Sequence, residues 1–238
     1  MKTILLFVLA VLPAVLLWLY VWKKDTQKEP TSWLLKAVLW GVGICIPVAF
    51  LEVGIESVLF DGAKPSSLFD TTVMAFFVAA LPEEAFKLLV LWLLLRKNPY
   101  FDEHFDGIVY AVCVGLGFAA IENLFYLLKE QDNWMAVAAS RSLLAVPGHY
   151  AFAVLMGYYY SVYHFVDRSP QVAACIFLVP FLAHGVYDAI AMSGMVNQYV
   201  GGISFVILIY FCIKLHRVAK SKVLALVEKD TEDKPFEA

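Results

Sequence analysis

Long apolar segments separated by short polar connections make up most of the sequence. Each segment reaches the roughly 20 residues that an α-helix needs to cross about 30 Å of hydrocarbon. The pattern predicts seven membrane-spanning helices, at residues 3–22, 33–58, 70–95, 106–128, 134–164, 171–193 and 198–215. Because the connections are too short to hold a soluble domain, we expect an all-α, polytopic transmembrane helix bundle.

The first and fifth segments need a further argument. The first is similar to a secretory signal, but its apolar run is too long and no small-residue cleavage site follows it, so we expect a retained helix. Trp18, Tyr20 and Trp22 add an aromatic belt of the kind found at a membrane interface. The fifth segment is longer than a bilayer requires, which predicts a tilted helix or a break near Pro147-Gly148.

Basic residues in the connections predict the orientation of the bundle. With the N-terminus outside, twelve lysines and arginines are cytoplasmic and three, Lys2, Lys64 and Lys129, are outside. An excess of basic residues on the cytoplasmic side is the general rule, so we expect N-out and C-in. Residues 1–216 then form a single transmembrane domain with a core at about 70–193, and residues 217–238 form a charged, partly disordered cytoplasmic tail.

The composition agrees with a multi-pass protein of the plasma or inner membrane. Hydrophobic residues make up 61% of the 238 residues and charged residues 16%, whereas soluble domains have about half and about a quarter. No basic tract indicates a nucleic acid as a partner. The four cysteines are isolated within apolar segments, which indicates packing rather than disulfides or a thiolate metal site.

Polar and charged side chains interrupt four successive apolar segments. They are Glu83, Glu84 and Lys87 in the third, Glu122 and Asn123 in the fourth, Arg141 and His149 in the fifth, and His184 and Asp188 in the sixth. A charge at the centre of a membrane helix costs on the order of 3 kcal/mol on insertion scales. Counting along the helices places these groups between mid-membrane and the outer half, so we expect them to face one another in one polar cavity.

Adjacent carboxylates beside histidines are suited to general acid–base catalysis. Each residue alone has a structural explanation, since one intramembrane glutamate can join two helices by a hydrogen bond. Polar groups on four successive helices are harder to explain in that way and favour a functional site. Arg141 is expected to pair with a carboxylate such as Glu122, in a structural or supporting role.

Four motifs stand in order along the central segments: PEEAFK, FDGIVYAVCVGLGFAAIENLFY, RSLLAVPGHYAF and HGVYDAI. Together they resemble the PrsW family of intramembrane proteases, over about residues 80–190. That family is distantly related to the CAAX prenyl proteases, whose motifs are a glutamate pair, F-x-x-x-H and H-x-x-x-N or D. In this chain Glu83-Glu84 resembles the glutamate pair, and His184–Asp188 resembles the third motif. Phe118–Glu122 resembles the second motif, with a glutamate in place of its histidine. His149 is an added histidine that the PrsW pattern expects.

The resemblance implies peptide-bond hydrolysis and leaves two chemistries open. In one, Glu83, beside Glu84, is the general base for a water held with His149 or His184, and Asn123 or another donor stabilises the oxyanion. In the other, one Zn²⁺ activates the water, with candidate ligands Glu83, Glu122, His149 and His184. No H-E-x-x-H spacing is present, and we favour the first version slightly.

The resemblance also implies a substrate and a setting. The enzyme would cut a single-pass membrane protein near the outer face of the lipid bilayer, for example at the first site of an anti-sigma factor, in stress signalling. The alternative is an ion-coupled transporter in which the carboxylates and histidines relay protons. The short chain and the absence of an evident inverted repeat argue against that alternative.

Overall fold

A computed structural model describes residues 2–129 and 132–232, and this part of the chain is helical without strands. The helices are α1 (Lys2–Lys24), α2 (Thr31–Phe60), α3 (Leu68–Val73), α4 (Leu81–Leu95), α5 (Asp106–Lys129), α6 (Trp134–Ser140), α7 (Val146–Ser161), α8 (Pro170–Met192) and α9 (Gln198–Glu232). Five of them, α1, α2, α5, α8 and α9, are long and apolar enough to cross a membrane by themselves. The predicted helical membrane bundle is confirmed.

The third and fifth predicted segments each consist of two α-helices joined by a wider π-helical segment. Met74–Ala80 connects α3 to α4, and Arg141–Ala145 connects α6 to α7. Each π-helical segment ends shortly before a proline, Pro82 or Pro147. A proline lacks the backbone N–H and crowds the carbonyl four residues earlier, and a wider turn relieves both problems. The fifth segment is therefore a continuous helix with a π-helical turn beside Pro147.

Helix α5 lies at the centre of the bundle, where most of its residues are buried. Small residues bring its backbone close to both neighbours. A Cβ added at Gly115 would lie 2.7 Å from Cβ of Ala153 in α7, and one at Gly117 would lie 2.4 Å from the carbonyl oxygen of Val38 in α2. This close approach sets the distance between the side chains that α5 and α7 carry.

Helix α9 continues well past residue 216, so residues 217–232 are helical rather than disordered. Asp230 near its end accepts hydrogen bonds from the backbone N–H groups of His104 (2.7 Å) and Phe105 (2.8 Å). This contact joins α9 to the connection that leads into α5. Residues 233–238 of the expected tail, including Lys234, lie outside the described residues, and the N-out orientation stays a prediction from the loop charges.

Candidate active site

Four buried residues from three helices meet near the middle of the bundle. Glu83 and Glu84 lie in the first turn of α4, His149 in the first turn of α7 and His184 in α8. Each offers one ligand atom, and these atoms lie within 4.8 Å of one another. We call these four residues the central cluster. Both π-helical segments end just before it, so the prolines and the cluster are parts of the same local structure.

Lys87 supplies positive charge to the central cluster. Its Nζ lies 2.9 Å from Oε2 of Glu83 and 2.8 Å from Oε1 of Glu84, with both pairs buried. The same ammonium is 3.2 Å from Nδ1 of His149 and lies over the ring of Phe118. Adjacent carboxylates in a low-dielectric interior need such a partner, because an unpaired buried charge is strongly destabilising.

The two histidines use one ring nitrogen for an outer carboxylate and direct the other toward the central cluster. Nε2 of His149 lies 2.8 Å from Oε2 of Glu122, and Nε2 of His184 lies 3.2 Å from Oδ2 of Asp188. In the opposite direction, Nδ1 of His184 is 2.8 Å from Oε1 of Glu84. A carboxylate on the far nitrogen fixes the orientation of a metal-binding imidazole in many proteins. Glu122 and Asp188 occupy that position here.

Arg141 pairs with Glu122, as the sequence predicted, at 2.8 Å. Its Nε also donates to Oδ1 of Asn123 (3.0 Å), and its guanidinium lies over the ring of Tyr126. Asn123 is fully buried and donates from Nδ2 to the carbonyl of Ala10 in α1. The Asn123 amide therefore joins α5 to α1 and Arg141, and it does not line the cavity described next.

A cavity of about 860 Å³ leads away from the central cluster. Its inner wall includes Glu83, His149 and His184, and its far wall includes Glu56 near the end of α2 and Lys129 at the end of α5. With the predicted orientation, the cavity extends from mid-membrane to the outer side. A substrate and water can therefore share the space in front of the central cluster.

Sequence reasoning missed one part of this wall. Glu52 and Glu56 were not expected to belong to the site, yet both line the cavity. Their spacing of four residues places them on one face of α2. That spacing is the signal that could have connected them with the other polar groups.

The central cluster is chemically suited to a metal ion. Two carboxylates and two imidazoles form an acceptable donor set for Zn²⁺. Oε2 of Glu84, which is fully buried, has no hydrogen-bond partner among the described residues and is available as a ligand. Glu84 takes the place of Glu122 in the expected ligand set, because Glu122 contacts the far nitrogen of His149. Lys87 and a metal would share the same carboxylates.

Buried acids and imidazoles at the inner end of a cavity, inside a helical membrane bundle, define a class of membrane-embedded enzymes. Residues 29–215 match the model of the PrsW family of intramembrane metalloproteases, and the chain belongs to that family. Curated relatives named Protease PrsW include those of Geobacillus kaustophilus, 37% identical (77% of this chain, 78% of the relative), and Clostridioides difficile, 35% identical (79% of each). The Bacillus subtilis protein is 32% identical (75% and 78%). No solved structure matches the chain.

Membership in the family confirms a membrane-embedded peptidase in a multi-pass membrane protein. The family description as metalloproteases supports the metal-assisted chemistry over the metal-free version that the sequence slightly favoured. An ion-coupled transporter, the alternative, would have polar groups along a continuous path through the bundle. The lining of this cavity reaches only one end of the bundle, and the part of α4 beyond Lys87 carries the buried apolar residues Val90, Leu91 and Leu94.

Proposed function

We propose that this chain cuts a peptide bond in a single-pass membrane protein, near the outer face of the bilayer. The observation that carries the proposal is the position of the central cluster at the inner end of the large cavity. A cavity of about 860 Å³ has room for a short extended peptide segment but not for a folded domain. An anti-sigma factor with one membrane anchor, the substrate class suggested by the family resemblance, provides such a segment.

Glu83 is the general base in this proposal. It lines the cavity, where water and the scissile carbonyl would meet, whereas Glu84 lies behind it and is absent from the cavity wall. Glu83 takes a proton from the attacking water and returns it to the nitrogen of the leaving amine. Lys87, at 2.9 Å from Oε2 of Glu83, holds that carboxylate in place between the two transfers.

Glu84, His149 and His184 would hold a Zn²⁺. Three protein ligands with one position left for water are the usual pattern of catalytic zinc sites. When bound there, the ion lowers the pKa of water toward 7 and polarises the carbonyl. Glu122 and Asp188 orient the two imidazoles through their Nε2 atoms, so that the Nδ1 atoms are directed toward Glu83 and Glu84.

The test is co-expression of a tagged single-pass anti-sigma factor with the wild-type chain or with Glu83→Gln at matched levels. We expect the wild type to cut the substrate and Glu83→Gln to leave it intact while remaining inserted in the membrane. Glu56→Gln is the matched control, because it removes a carboxylate from the same cavity at its far end. It should retain most of the cleavage.

Each outcome bears on a different part of the proposal. Equal cleavage by wild type and Glu83→Gln would remove Glu83 from the chemistry. No cleavage by either chain would reject the anti-sigma factor as substrate. An equal loss of substrate cleavage in Glu83→Gln and Glu56→Gln would mean that charge in the cavity, rather than a base at the central cluster, controls the reaction.

A further inference from the structure

A second group of carboxylates lies at the predicted cytoplasmic ends of the helices, apart from the central cluster. Glu29 belongs to the connection between α1 and α2, Asp102 to the connection before α5, and Asp106 is the first residue of α5. Each offers one oxygen, and these oxygens lie within 4.8 Å of one another. We call these three residues the cytoplasmic cluster. Because its members come from two separate connections, no single turn or cap accounts for their meeting.

Helix capping explains only one oxygen of Asp106. Its Oδ2 accepts from the backbone N–H groups of Asp102 (3.0 Å) and Glu103 (2.8 Å), as an acid at a helix start commonly does. The residue is 0% exposed, and its Oδ1 has no hydrogen-bond partner among the described residues. A buried carboxylate oxygen without a donor is costly, and this one stands beside two further carboxylates.

Lys28 brings positive charge to the same connection, but its Nζ donates to the backbone carbonyls of Trp22 and Asp25 and not to a carboxylate of the cytoplasmic cluster. Glu29 accepts a hydrogen bond from the hydroxyl of buried Tyr110. None of the ion pairs among the described residues includes Glu29, Asp102 or Asp106. Asp25 adds a further buried carboxylate to the same face of the bundle, and its Oδ2 also lacks a partner in the described part of the chain. The carboxylates of the central cluster, in contrast, both pair with Lys87.

We infer that Glu29, Asp102 and Asp106 bind a hard divalent cation, Mg²⁺ or Ca²⁺, at the cytoplasmic face. Oxygen-only donors favour these ions over zinc, which prefers nitrogen and sulfur. Asp102 is exposed, so the ion can enter from water and keep water ligands, whereas Glu29 and Asp106 are buried. The bound ion would tie the α1–α2 connection to the first residue of α5.

The consequence is mechanical support for the helix that carries Glu122. Helix α5 begins at the cytoplasmic cluster and continues past Glu122, which contacts His149 of the central cluster. The cation site is thus a separate site from the proposed catalytic one, and it does not depend on which substrate is cut. Its ligands can be changed without touching the central cluster.

The test uses the purified full chain in detergent, stripped with a chelator, and measures the unfolding midpoint as MgCl₂ or CaCl₂ is added at constant ionic strength. We expect the midpoint to rise with at least one of the two ions and to saturate. Asp102→Asn should weaken the apparent affinity at least tenfold, because it removes an exposed ligand with little effect on folding. Glu29→Gln should do the same from the other connection.

Two controls separate this site from the rest of the molecule. Asp61→Asn removes an exposed acid from the opposite end of α2, at a position with φ 48° that asparagine tolerates, and should keep the full response. Glu84→Gln alters the central cluster and should also keep the full response of the unfolding midpoint to Mg²⁺ or Ca²⁺. A full response in both Asp102→Asn and Glu29→Gln would overturn the proposal. So would a midpoint that ignores both ions and rises only on acidification, since a shared proton would then replace the cation.

Discussion

The central cluster and the cytoplasmic cluster are both compact groups of acidic side chains, but their charges are balanced in different ways. The central cluster mixes carboxylates with imidazoles, and the Lys87 ammonium lies within hydrogen-bond distance of both its carboxylates. The cytoplasmic cluster consists of carboxylates alone, and Asp102 opens it to water. In the two proposals made above, residue type and access to water, more than proximity, decide which cation each site would accept. The first is suited to zinc and proton transfer, and the second to a hard ion.

Removing the internal cation should have the largest effect. Lys87→Met leaves Glu83 and Glu84 without their buried partner, and breaking a buried ion pair costs about 3–5 kcal/mol. We expect that loss in the free energy of unfolding of the chelator-treated protein, with partial recovery when Zn²⁺ is added. Lys36→Met, at an exposed lysine over Trp33, is the control and should change stability little. A similar, small loss of the free energy of unfolding in both variants would contradict the view that Lys87 compensates the charges of Glu83 and Glu84.

Changing an outer carboxylate should have an intermediate effect on the central cluster alone. Asp188→Asn weakens the contact at Nε2 of His184, and such changes lower metal affinity about 10–100-fold. Competition with a zinc chelator measures this directly. The response of the unfolding midpoint to Mg²⁺ or Ca²⁺ should stay as in the wild type. Unchanged zinc affinity would show that Asp188 does not orient the imidazole.

Two glycine variants, Gly115→Ala in α5 and Gly157→Ala in α7, should separate the clusters by position along the contact between these helices. A Cβ at Gly115 meets Ala153, near His149, whereas one at Gly157 would lie 2.3 Å from the carbonyl oxygen of Gly107, next to Asp106. Overpacking costs about 1–3 kcal/mol. We expect Gly115→Ala to reduce zinc affinity and Gly157→Ala to reduce Mg²⁺ or Ca²⁺ affinity.

Gly54→Ala serves as the control for that pair, since nothing lies within 4 Å of an added Cβ there. If both glycine variants weakened both kinds of metal binding equally, the two sites would not be structurally separate.

The pH dependence of stability should give the smallest effect, confined to the cytoplasmic cluster. Burial raises the pKa of Glu29 from 4.5 to about 7, helped by the negative charges of Asp25 and Asp102 and opposed by the hydrogen bond from Tyr110. Between these values the folded state binds more protons than the unfolded state, so stability falls as the pH rises through 7.

Unfolding midpoints measured from pH 5 to pH 8 check this expectation. Glu29→Gln should reduce the slope of the profile, and Asp25, whose pKa burial raises to about 6, accounts for part of the remaining slope. A saturating divalent cation should reduce the slope in the wild type, because the ion stabilises the ionised carboxylate. A wild-type profile that stays flat without cations would contradict the raised pKa of Glu29.

Sequence patterns were sufficient for the bundle and for most of the central cluster. Apolar runs define the helices, and ionisable residues inside membrane segments are costly enough to stand out, so Glu83, Glu84, His149 and His184 could be grouped before their contacts were known. Arg141 was paired correctly with Glu122 for the same reason.

Other features depend on three-dimensional packing that no local pattern contains. Glu84, and not Glu122, belongs to the group of possible metal ligands, because Glu122 contacts the far nitrogen of His149. The cytoplasmic cluster joins residues 29 and 102, which are far apart along the chain. The helical continuation of residues 217–232 depends on contacts such as that of Asp230, which charge-rich composition does not reveal.

The hydrogen bonds of Asp230 also give the longest helix a second attachment to the bundle. At about 1.5 Å per residue, the 35 residues of α9 extend over about 52 Å, whereas the 24 residues of α5 extend over about 36 Å. The start of α9 is held at the end of α8 by the hydrogen bond between Ser193 and Ser204, and Asp230 returns the other end to the start of α5. The last turns of α9, which are rich in charged residues, therefore act as a brace on the connection that leads into α5.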